Sequence, residues 1–417
     1  MTVSPTGPPA RSGRTATVSA LGTAQTLAWA SSYYLPAMLA TPMSRDLGLS
    51  RPTVFAMFSM ALMVSALTGP IAGRLIDRHG GRRVLLTSNV LFALGLVGLG
   101  LAKGPWGPWG LALAWGVLGV AMGSGLYDAA FAALVRLYGR DARQAITGIT
   151  LLAGFASTVG WPLTTLLEAQ WGWRGACFAW AALHVVIGLP LNALLPRAGP
   201  HAAAALTTVL PTTLPAASNA AADAAAEATA PPPRHTAVVL ALLFSMLGFV
   251  STAMAAHLPA LLQAAGATLA VAVLAGALIG PAQVAARVLE FSVLQRYSVL
   301  LSARAAALTH PLGALALLLF GPVAALPFAL LHGSGNGLLT IVRGTLPLSL
   351  FGARGYGARQ GWIALPGRTL GALSPWLFGI ALERHGARAL WLSGGLCLVA
   401  FTCLLALRVP DDASRAG

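Results

Sequence analysis

The stretch Gly73–Arg82, with the sequence GRLIDRHGGR, lies between two long apolar runs and decides the fold. A short charged turn between two apolar runs marks a point where the chain leaves a membrane and re-enters it. A glycine lets neighbouring helices approach closely, and an aspartate can bond to an arginine or to a helix N-terminus. We therefore expect a gating latch at one membrane surface, formed by Gly73, Asp77, Arg78, Gly80 and Arg82.

Composition places the chain in a membrane. Of its 417 residues 57% are hydrophobic and only 9% are charged, and its mean hydropathy is +0.75. In lipid each segment must satisfy its own backbone hydrogen bonds, so these values predict a helical protein that crosses the bilayer many times. The net charge of +15 does not indicate a nucleic-acid partner, because the basic residues are scattered near the ends of apolar runs. The three cysteines lie in apolar runs and predict no disulfide or metal site.

The hydropathy pattern predicts an all-α membrane protein with twelve transmembrane helices in two six-helix, pseudo-symmetric halves. The segments are 17–40, 52–76, 83–103, 109–138, 142–169, 174–196, 236–263, 267–293, 298–320, 322–352, 357–383 and 387–408. The predicted organisation is a disordered N-terminus (1–16), an N-terminal half (17–196), a disordered linker (197–235), a C-terminal half (236–408) and a tail (409–417). Short matches repeat between the halves, such as Gly73–Asp77 with Ala286–Glu290; four such pairs occur in the same order, 213 to 223 residues apart.

The basic residues also predict the orientation. Nineteen of the 26 fall on the side of the chain termini and six on the opposite side, which leaves Arg368 inside the membrane. Because cytoplasmic loops carry the excess of basic residues, both termini are predicted to be cytoplasmic. The apolar stretch after Arg14 is too long for a signal peptide, so we expect an uncleaved first helix. High use of Ala, Gly and Arg is typical of a GC-rich bacterial genome, and the expected location is the bacterial inner (plasma) membrane.

The Gly73–Arg82 stretch resembles the signature loop between helices 2 and 3 of the major facilitator superfamily, Gly-x-Leu-x-Asp-Arg-x-Gly-Arg-Arg. Gly81 departs from that pattern, where the family usually carries a basic residue. The resemblance implies a secondary transporter whose two halves rock around a substrate site near the midplane. It implies a monomer in the lipid bilayer that binds a small molecule, with no cofactor, metal or nucleic acid. The chain carries no P-loop or hydrolase motif in a suitable context, so we expect no enzyme.

Charged side chains at bilayer depth are costly and therefore mark candidate functional sites. Asp128 is predicted to carry a coupling proton, with a structural ion pair as the alternative. Arg287 and Arg368 are predicted to clamp a carboxylate, with Gln283 on the same helical face as Arg287. This pairing resembles the monocarboxylate and oxalate–formate branch, where basic residues on helices 8 and 11 meet an anionic substrate. Gln283 stands where proton-coupled monocarboxylate carriers tend to have Asp, and the alternative for Arg287 is a structural place at the inner rim.

Polar and aromatic residues in otherwise apolar segments complete the predicted substrate site. Those of helix 1 share a face that does not belong in lipid, and the histidines can titrate or bind an anion at this depth. Packing between helices is the alternative for each of them. These residues are Gln25, Trp29, Ser32, Tyr33, Trp161, His257, His332 and Asn336.

The predicted function is secondary active transport of a small organic anion by alternating access, with coupling to protons left open. A proton-coupled exporter of drugs or toxic metabolites is the main alternative. Trp115 replaces an arginine that drug antiporters carry in helix 4, and Trp161 splits the expected Gly-Pro pair of helix 5, which both argue against that alternative. A non-transporting membrane sensor is a third possibility. Substrate, direction and coupling ion stay open.

Overall fold

A computed structural model describes residues 11–138, 142–196, 234–294, 297–351 and 356–407. Within these ranges the regular structure is helical. The predicted linker up to residue 233 and the predicted C-terminal tail lie outside the described residues. The first helix already begins at Arg11, six residues before the apolar segment, because polar residues are tolerated in the first turn beyond the apolar window.

The N-terminal bundle contains nine α-helices within its described residues, 11–138 and 142–196. Their bounds are α1 Arg11–Ser31, α2 Leu35–Leu47, α3 Arg51–His79, α4 Gly81–Leu101, α5 Gly107–Gly125, α6 Tyr127–Tyr138, α7 Ala142–Ala153, α8 Ala156–Leu183 and α9 Leu189–Ala193. A five-residue π-helical segment, His184–Gly188, joins α8 to α9. The pairs α1/α2 and α5/α6 are each one long helix broken for a few residues, at 32–34 and at Leu126.

The C-terminal bundle contains six α-helices in the described ranges 234–294, 297–351 and 356–407. Their bounds are α10 Arg234–Ala264, α11 Leu269–Ser292, α12 Val299–Phe320, α13 Ala325–Phe351, α14 Tyr356–His385 and α15 Leu390–Leu405. Its apolar core is one continuous cluster of buried side chains, whereas the N-terminal bundle has a large and a small cluster. Each bundle therefore buries most of its apolar side chains within itself.

Eight stretches of the described chain are long and apolar enough to cross a membrane. Three of them, Ala145–Ala193, Val299–Phe351 and Ile363–Leu405, have 49, 53 and 43 residues. One crossing needs about 20 residues, so each of these stretches is long enough for two crossings. Each also contains a glycine with positive φ, Gly172, Gly321 or Gly386, at which the chain reverses direction.

The turn between α3 and α4 is a single residue. Gly80 adopts φ +87° and its amide donates to the Ile76 carbonyl over 2.8 Å, so α4 starts directly at Gly81. A Cβ at Gly81 would lie 2.9 Å from Ala133 Cα, whereas a Cβ at Gly73 would meet nothing within 4 Å. The close approach expected at Gly73 therefore occurs at Gly81, because no described residue packs closely against Gly73 in this conformation.

We call the end of the molecule that carries Gly80 the Gly80 side, and the other end the far side. On the far side the bundles touch: the Phe55 and His257 rings are 3.9 Å apart, and the Trp376 amide donates to Ser59 over 3.2 Å. Along the same face of α3 toward the Gly80 side, Pro70 and Asp77 are exposed. Because the bundles touch on the far side and the same face of α3 is exposed near Gly80, we interpret the space between α3 and α14 as a cleft that opens on the Gly80 side.

Candidate functional site

Aromatic rings form the N-terminal wall of the cleft. The Trp29 ring centroid lies 4.9 Å from that of Tyr33 and 4.9 Å from that of Tyr127. Tyr127 in turn stacks on Phe131 at 5.2 Å, and Tyr34 packs edge-on against Tyr33 at 5.6 Å. All five side chains are half-buried rather than fully enclosed. We call Trp29, Tyr33, Tyr34, Tyr127 and Phe131 the aromatic wall; it exists because α1 ends at Ser31 and α6 starts at Tyr127, which brings the two breaks together.

Arg287 reaches from the C-terminal bundle to the N-terminal bundle. Its guanidinium donates to the Thr150 carbonyl at 3.1 Å, to Gln283 Oε1 at 3.3 Å and to Thr340 Oγ1 at 3.4 Å. These acceptors are neutral, and the buried Nε has no hydrogen-bond partner among the described residues. The positive charge of Arg287 is thus bonded but not neutralised by an acid, which leaves it available to an anion.

Arg343 also belongs to this region, although its position in the sequence suggests the mouth of the site. Its guanidinium lies against Gly248 of α10, where a Cβ would come within 3.2 Å of Nη2. One helical turn further along α10, Thr252 accepts a hydrogen bond of 3.0 Å from the Tyr33 hydroxyl. Arg343 and the aromatic wall therefore meet the same face of α10.

Asp128 and Arg368 face each other across the cleft. Asp128 Oδ2 lies 3.8 Å from Arg368 Nη2, and the side chains are 72% and 54% exposed. The other ion pair in the described ranges joins Arg174 to Asp46 far from this point. Asp128 lies directly after the break between α5 and α6, so its carboxylate is presented at the start of a helix instead of in the middle of one.

Gln25 and Ser32 lie deep in the N-terminal bundle and outside the cleft. The Gln25 amide donates to the Gly125 carbonyl over 2.7 Å, and Ser32 donates to the Ala28 carbonyl over 2.6 Å. Both residues are buried. Gln25 thus satisfies a carbonyl that the α5/α6 break leaves free, and it supports the position of Asp128 indirectly.

Trp161 joins the two bundles. Its indole N–H donates to the Tyr34 carbonyl over 3.1 Å, and its ring lies on Gly276 of α11. The Thr158 hydroxyl, one turn earlier, donates to the Ala277 carbonyl over 2.6 Å. Trp161 is buried, and it forms the side of the cleft where α8 and α11 stay in contact.

The two predicted histidines lie apart from the cleft. His257 is fully buried on the far side and bonds through Nε2 to the Pro375 carbonyl at 2.7 Å. His332 is buried inside the C-terminal bundle, where its Nδ1 lies 3.1 Å from His310 Nδ1, and His310 bonds to Ser393 at 2.9 Å. Asn336, one turn beyond His332, accepts from Ser251 over 2.6 Å, and its backbone carbonyl accepts from Thr340, which in turn accepts from Arg287.

The structure brings together Trp29, Tyr33, Asp128, Gln283, Arg287, Asn336 and Arg368 from the predicted set and adds Arg343, Tyr34 and Tyr127. Arg343 has a signal in the sequence, since it follows Asn336 by seven residues and therefore shares its helical face. Tyr127 is adjacent to Asp128, but the break that orients its ring has no local polar marker. The assembled site offers three guanidinium groups, one carboxylate and a set of aromatic faces.

Comparison with known proteins agrees with this architecture. The family model described as Major Facilitator Superfamily matches residues 21–375. Among solved structures, a D-xylose-proton symporter is 16% identical with a TM-score of 0.70, over 95% of this chain and 98% of that chain. The xylose transporter XylE from E. coli in an inward open conformation gives a TM-score of 0.72 at 14% identity, over 95% of this chain and 96% of that one. A nucleoside transporter, NupG, gives 0.73 at 14% identity, over 94% and 98%.

A curated relative from Thermoproteus tenax, described as an uncharacterized 38 kDa protein in 23S RNA operon, is 35% identical over 159 residues. The match covers 38% of this chain and 40% of that protein, so the chain spans about two fifths of the length of the curated relative it matches. The family model, in contrast, covers most of the chain. Together with the apolar helices, it identifies a multi-pass membrane transporter and not an enzyme: the chain belongs to the Major Facilitator Superfamily.

Proposed function

We propose that the chain crosses the membrane twelve times, as two six-helix halves. The eight apolar stretches become eleven crossings when the three long ones are divided at Gly172, Gly321 and Gly386, and α1 with α2 supplies the twelfth. The excess of arginine near the termini supports cytoplasmic termini in a bacterial inner membrane. In that orientation the cleft opens to the cytoplasm. Its walls come from one chain, so the site requires no second copy and the transporter works as a monomer.

The proposed cargo is a small organic anion. The observation that carries this proposal is the charge of the cleft: three arginines reach it from the C-terminal bundle, and Asp128 is the one acid facing them among the described residues. Arg287 has only neutral acceptors, and the Asp128–Arg368 pair is long and exposed. Guanidinium groups bind carboxylates with two parallel hydrogen bonds, so a carboxylate completes this site.

Asp128 is the proposed proton carrier. While ionised, its carboxylate occupies Arg368 and competes with the carboxylate of the cargo. When Asp128 binds a proton, Arg368 becomes free for the cargo, so proton and anion enter the site together. This order describes a proton–anion symporter. One of the structurally similar proteins is a proton symporter, and the likeness to it extends to the fold alone.

Export of cationic drugs is the second candidate, and a specific observation favours it. The Asp128 carboxylate lies directly after Tyr127 of the aromatic wall, and aromatic faces with a carboxylate bind organic cations. The three arginines oppose this candidate, because a cation would lie next to them. Transport into everted vesicles separates export from import for either cargo.

The test is ligand binding to the purified protein in detergent, with acetate, lactate, oxalate, benzoate and the cation tetraphenylphosphonium as probes. We expect at least one carboxylate to bind and the cation not to bind. Arg368→Lys keeps the charge but loses the planar fork, so carboxylate affinity should fall by about ten- to a hundredfold, equivalent to about 1.5–3 kcal/mol for a charged hydrogen bond. Arg368→Gln should weaken it further.

The matched control is Arg384→Gln, which removes an exposed arginine from the far end of the same helix. This control should bind like the wild type. Carboxylate binding that survives both Arg368 variants would overturn the anion site. Binding of tetraphenylphosphonium that is lost in Asp128→Asn would establish the second candidate in its place.

A further inference from the structure

We infer that the cargo is an aromatic carboxylate, with its carboxylate at the arginines and its ring against the aromatic wall. This inference rests on the proposed function and narrows it to one chemical class. It begins from the half-burial of the aromatic wall. Trp29 contacts both Tyr33 and Tyr127, yet each of the three keeps accessible surface instead of being fully buried in the bundle core.

The ring geometry of the aromatic wall suits contact with one further aromatic ring. Trp29 lies at its centre, with Tyr33 edge-on at 66° and Tyr127 tilted at 48°, so the rings form an angled set instead of one stack. The indole nitrogen of Trp29 is buried and has no hydrogen-bond partner among the described residues. Aromatic rings prefer offset or edge-to-face neighbours at centroid distances of about 4.5–7 Å, and this arrangement offers both to an added ring.

The wall and the arginines are adjacent. Asp128, which pairs with Arg368, follows Tyr127 directly in the chain. Tyr33 bonds to Thr252, one turn along α10 from Gly248, against which Arg343 lies. Arg368 and Arg343 are thus each connected to the aromatic wall through one neighbouring residue, which suits a ligand that carries a carboxylate next to a ring.

Other cargo classes use only part of this surface. A sugar or a nucleoside is neutral and would leave the Arg287 guanidinium without a counter-charge. Acetate or oxalate would pair with the arginines but leave the apolar faces of the aromatic wall exposed to water. A ligand with both a negative end and a flat apolar body contacts the arginines and the aromatic wall together. Buried polar groups need partners, and aromatic faces gain from stacking.

The test compares four probes in equilibrium binding to the purified full-length transporter: benzoate, cyclohexanecarboxylate, acetate and the neutral amide benzamide. We expect benzoate to bind at least tenfold more tightly than acetate, cyclohexanecarboxylate to lie between them, and benzamide to bind more weakly than benzoate by a similar factor. Trp29→Leu and Tyr127→Leu should each weaken benzoate about tenfold and leave acetate unchanged.

The matched control is Trp109→Leu, which removes an exposed tryptophan at the start of α5 and should leave all four affinities unchanged. Two variants in the wall are included so that a folding defect in one does not remove the test. If acetate and benzoate bind equally and both need Arg368, the aromatic inference fails and the anion site stands. If benzamide binds as well as benzoate and Arg368→Gln changes neither, both proposals fail.

Discussion

Asp128 and Arg368 lie on different bundles, and their side chains meet at 3.8 Å across an accessible cleft. An exposed pair of this length contributes little to stability, in the range of about 0–1 kcal/mol, because water screens both charges. The pair can therefore be broken at low free-energy cost, so a proton can take the place of Arg368 at Asp128, and a carboxylate can take the place of Asp128 at Arg368.

Carboxylate binding should be accompanied by proton uptake. The incoming carboxylate takes Arg368 from Asp128 and adds a second negative charge beside it, and a proton that arrives with the cargo restores the charge balance of the site. Mixing benzoate with the protein in weakly buffered solution should raise the pH of the medium, by up to one proton per bound anion. Asp128→Asn should abolish the uptake, whereas Glu383→Gln, at an exposed acid on the far side, should keep it. Uptake that is unchanged in Asp128→Asn would rule out Asp128 as the carrier.

Asp77→Asn should impair transport without loosening the fold. Asp77 is exposed and makes no ion pair with a described residue in this conformation, so thermal unfolding should change by less than about 0.5 kcal/mol. The latch expected from the sequence can form only when the Gly80 side closes, and its loss shifts the balance between the two states. Uptake into proteoliposomes should fall severalfold. Thr87→Ala, at an exposed site on α4, serves as the control, and full transport by Asp77→Asn would show that the turn only sets topology.

Gly276→Ala should destabilise the protein, although alanine normally stabilises helices. The added methyl would collide with the Trp161 indole and would displace its hydrogen bond to Tyr34. Overpacking of this kind costs about 1–3 kcal/mol. Gly395→Ala is the matched control, because a Cβ there meets nothing within 4 Å and the change should stabilise α15 by up to about 1 kcal/mol. Thermal unfolding in detergent measures both, and equal shifts would contradict the packing described.

The closed far side can be locked by a disulfide. Ser59 and Trp376 come from different bundles and lie close enough for the Trp376 amide to bond to the serine oxygen. In a background with Cys177, Cys397 and Cys403 replaced by alanine, Ser59→Cys with Trp376→Cys should cross-link on mild oxidation and stop transport until it is reduced. Gly73→Cys with Leu365→Cys, on the open side, should cross-link far less. The reverse pattern would mean that the far side is the open one.

The sequence predicts most helix positions because hydropathy and turn chemistry are local. The predicted segments 52–76 and 83–103 correspond to α3 and α4 within a few residues. The hydropathy pattern does not predict the breaks at 32–34 and at Leu126, since both lie inside segments whose mean hydropathy is high enough for one continuous helix. These breaks create the aromatic wall and present Asp128, so the part of the site that depends on them was beyond local reasoning.

The partners of the charged residues could not be read from the sequence either. Depth in a helix marks Asp128 and Arg368 as unusual, but nothing near either residue indicates that they meet each other. His257 and His332 show the reverse case. Their depth marks them equally, and each of them has a hydrogen-bond partner within or at the edge of the C-terminal bundle. Tertiary packing decides which polar residue faces the cleft and which one faces its own helical neighbours.

The contacts of α7 and α8 with α11 have a mechanical consequence. The Thr158 side chain of α8 donates to the Ala277 carbonyl of α11, and the Arg287 side chain of α11 donates to the Thr150 carbonyl of α7. A backbone carbonyl is present whatever the side chain, so the contact of α7 and α8 with α11 can act as a hinge. The α3–α14 edge is the one at which the bundles separate on the Gly80 side. In a transporter hinged along one edge, the gap between the bundles widens with distance from the hinge. The cargo then leaves on the Gly80 side between α3 and α14, and substitutions that line this opening should govern release.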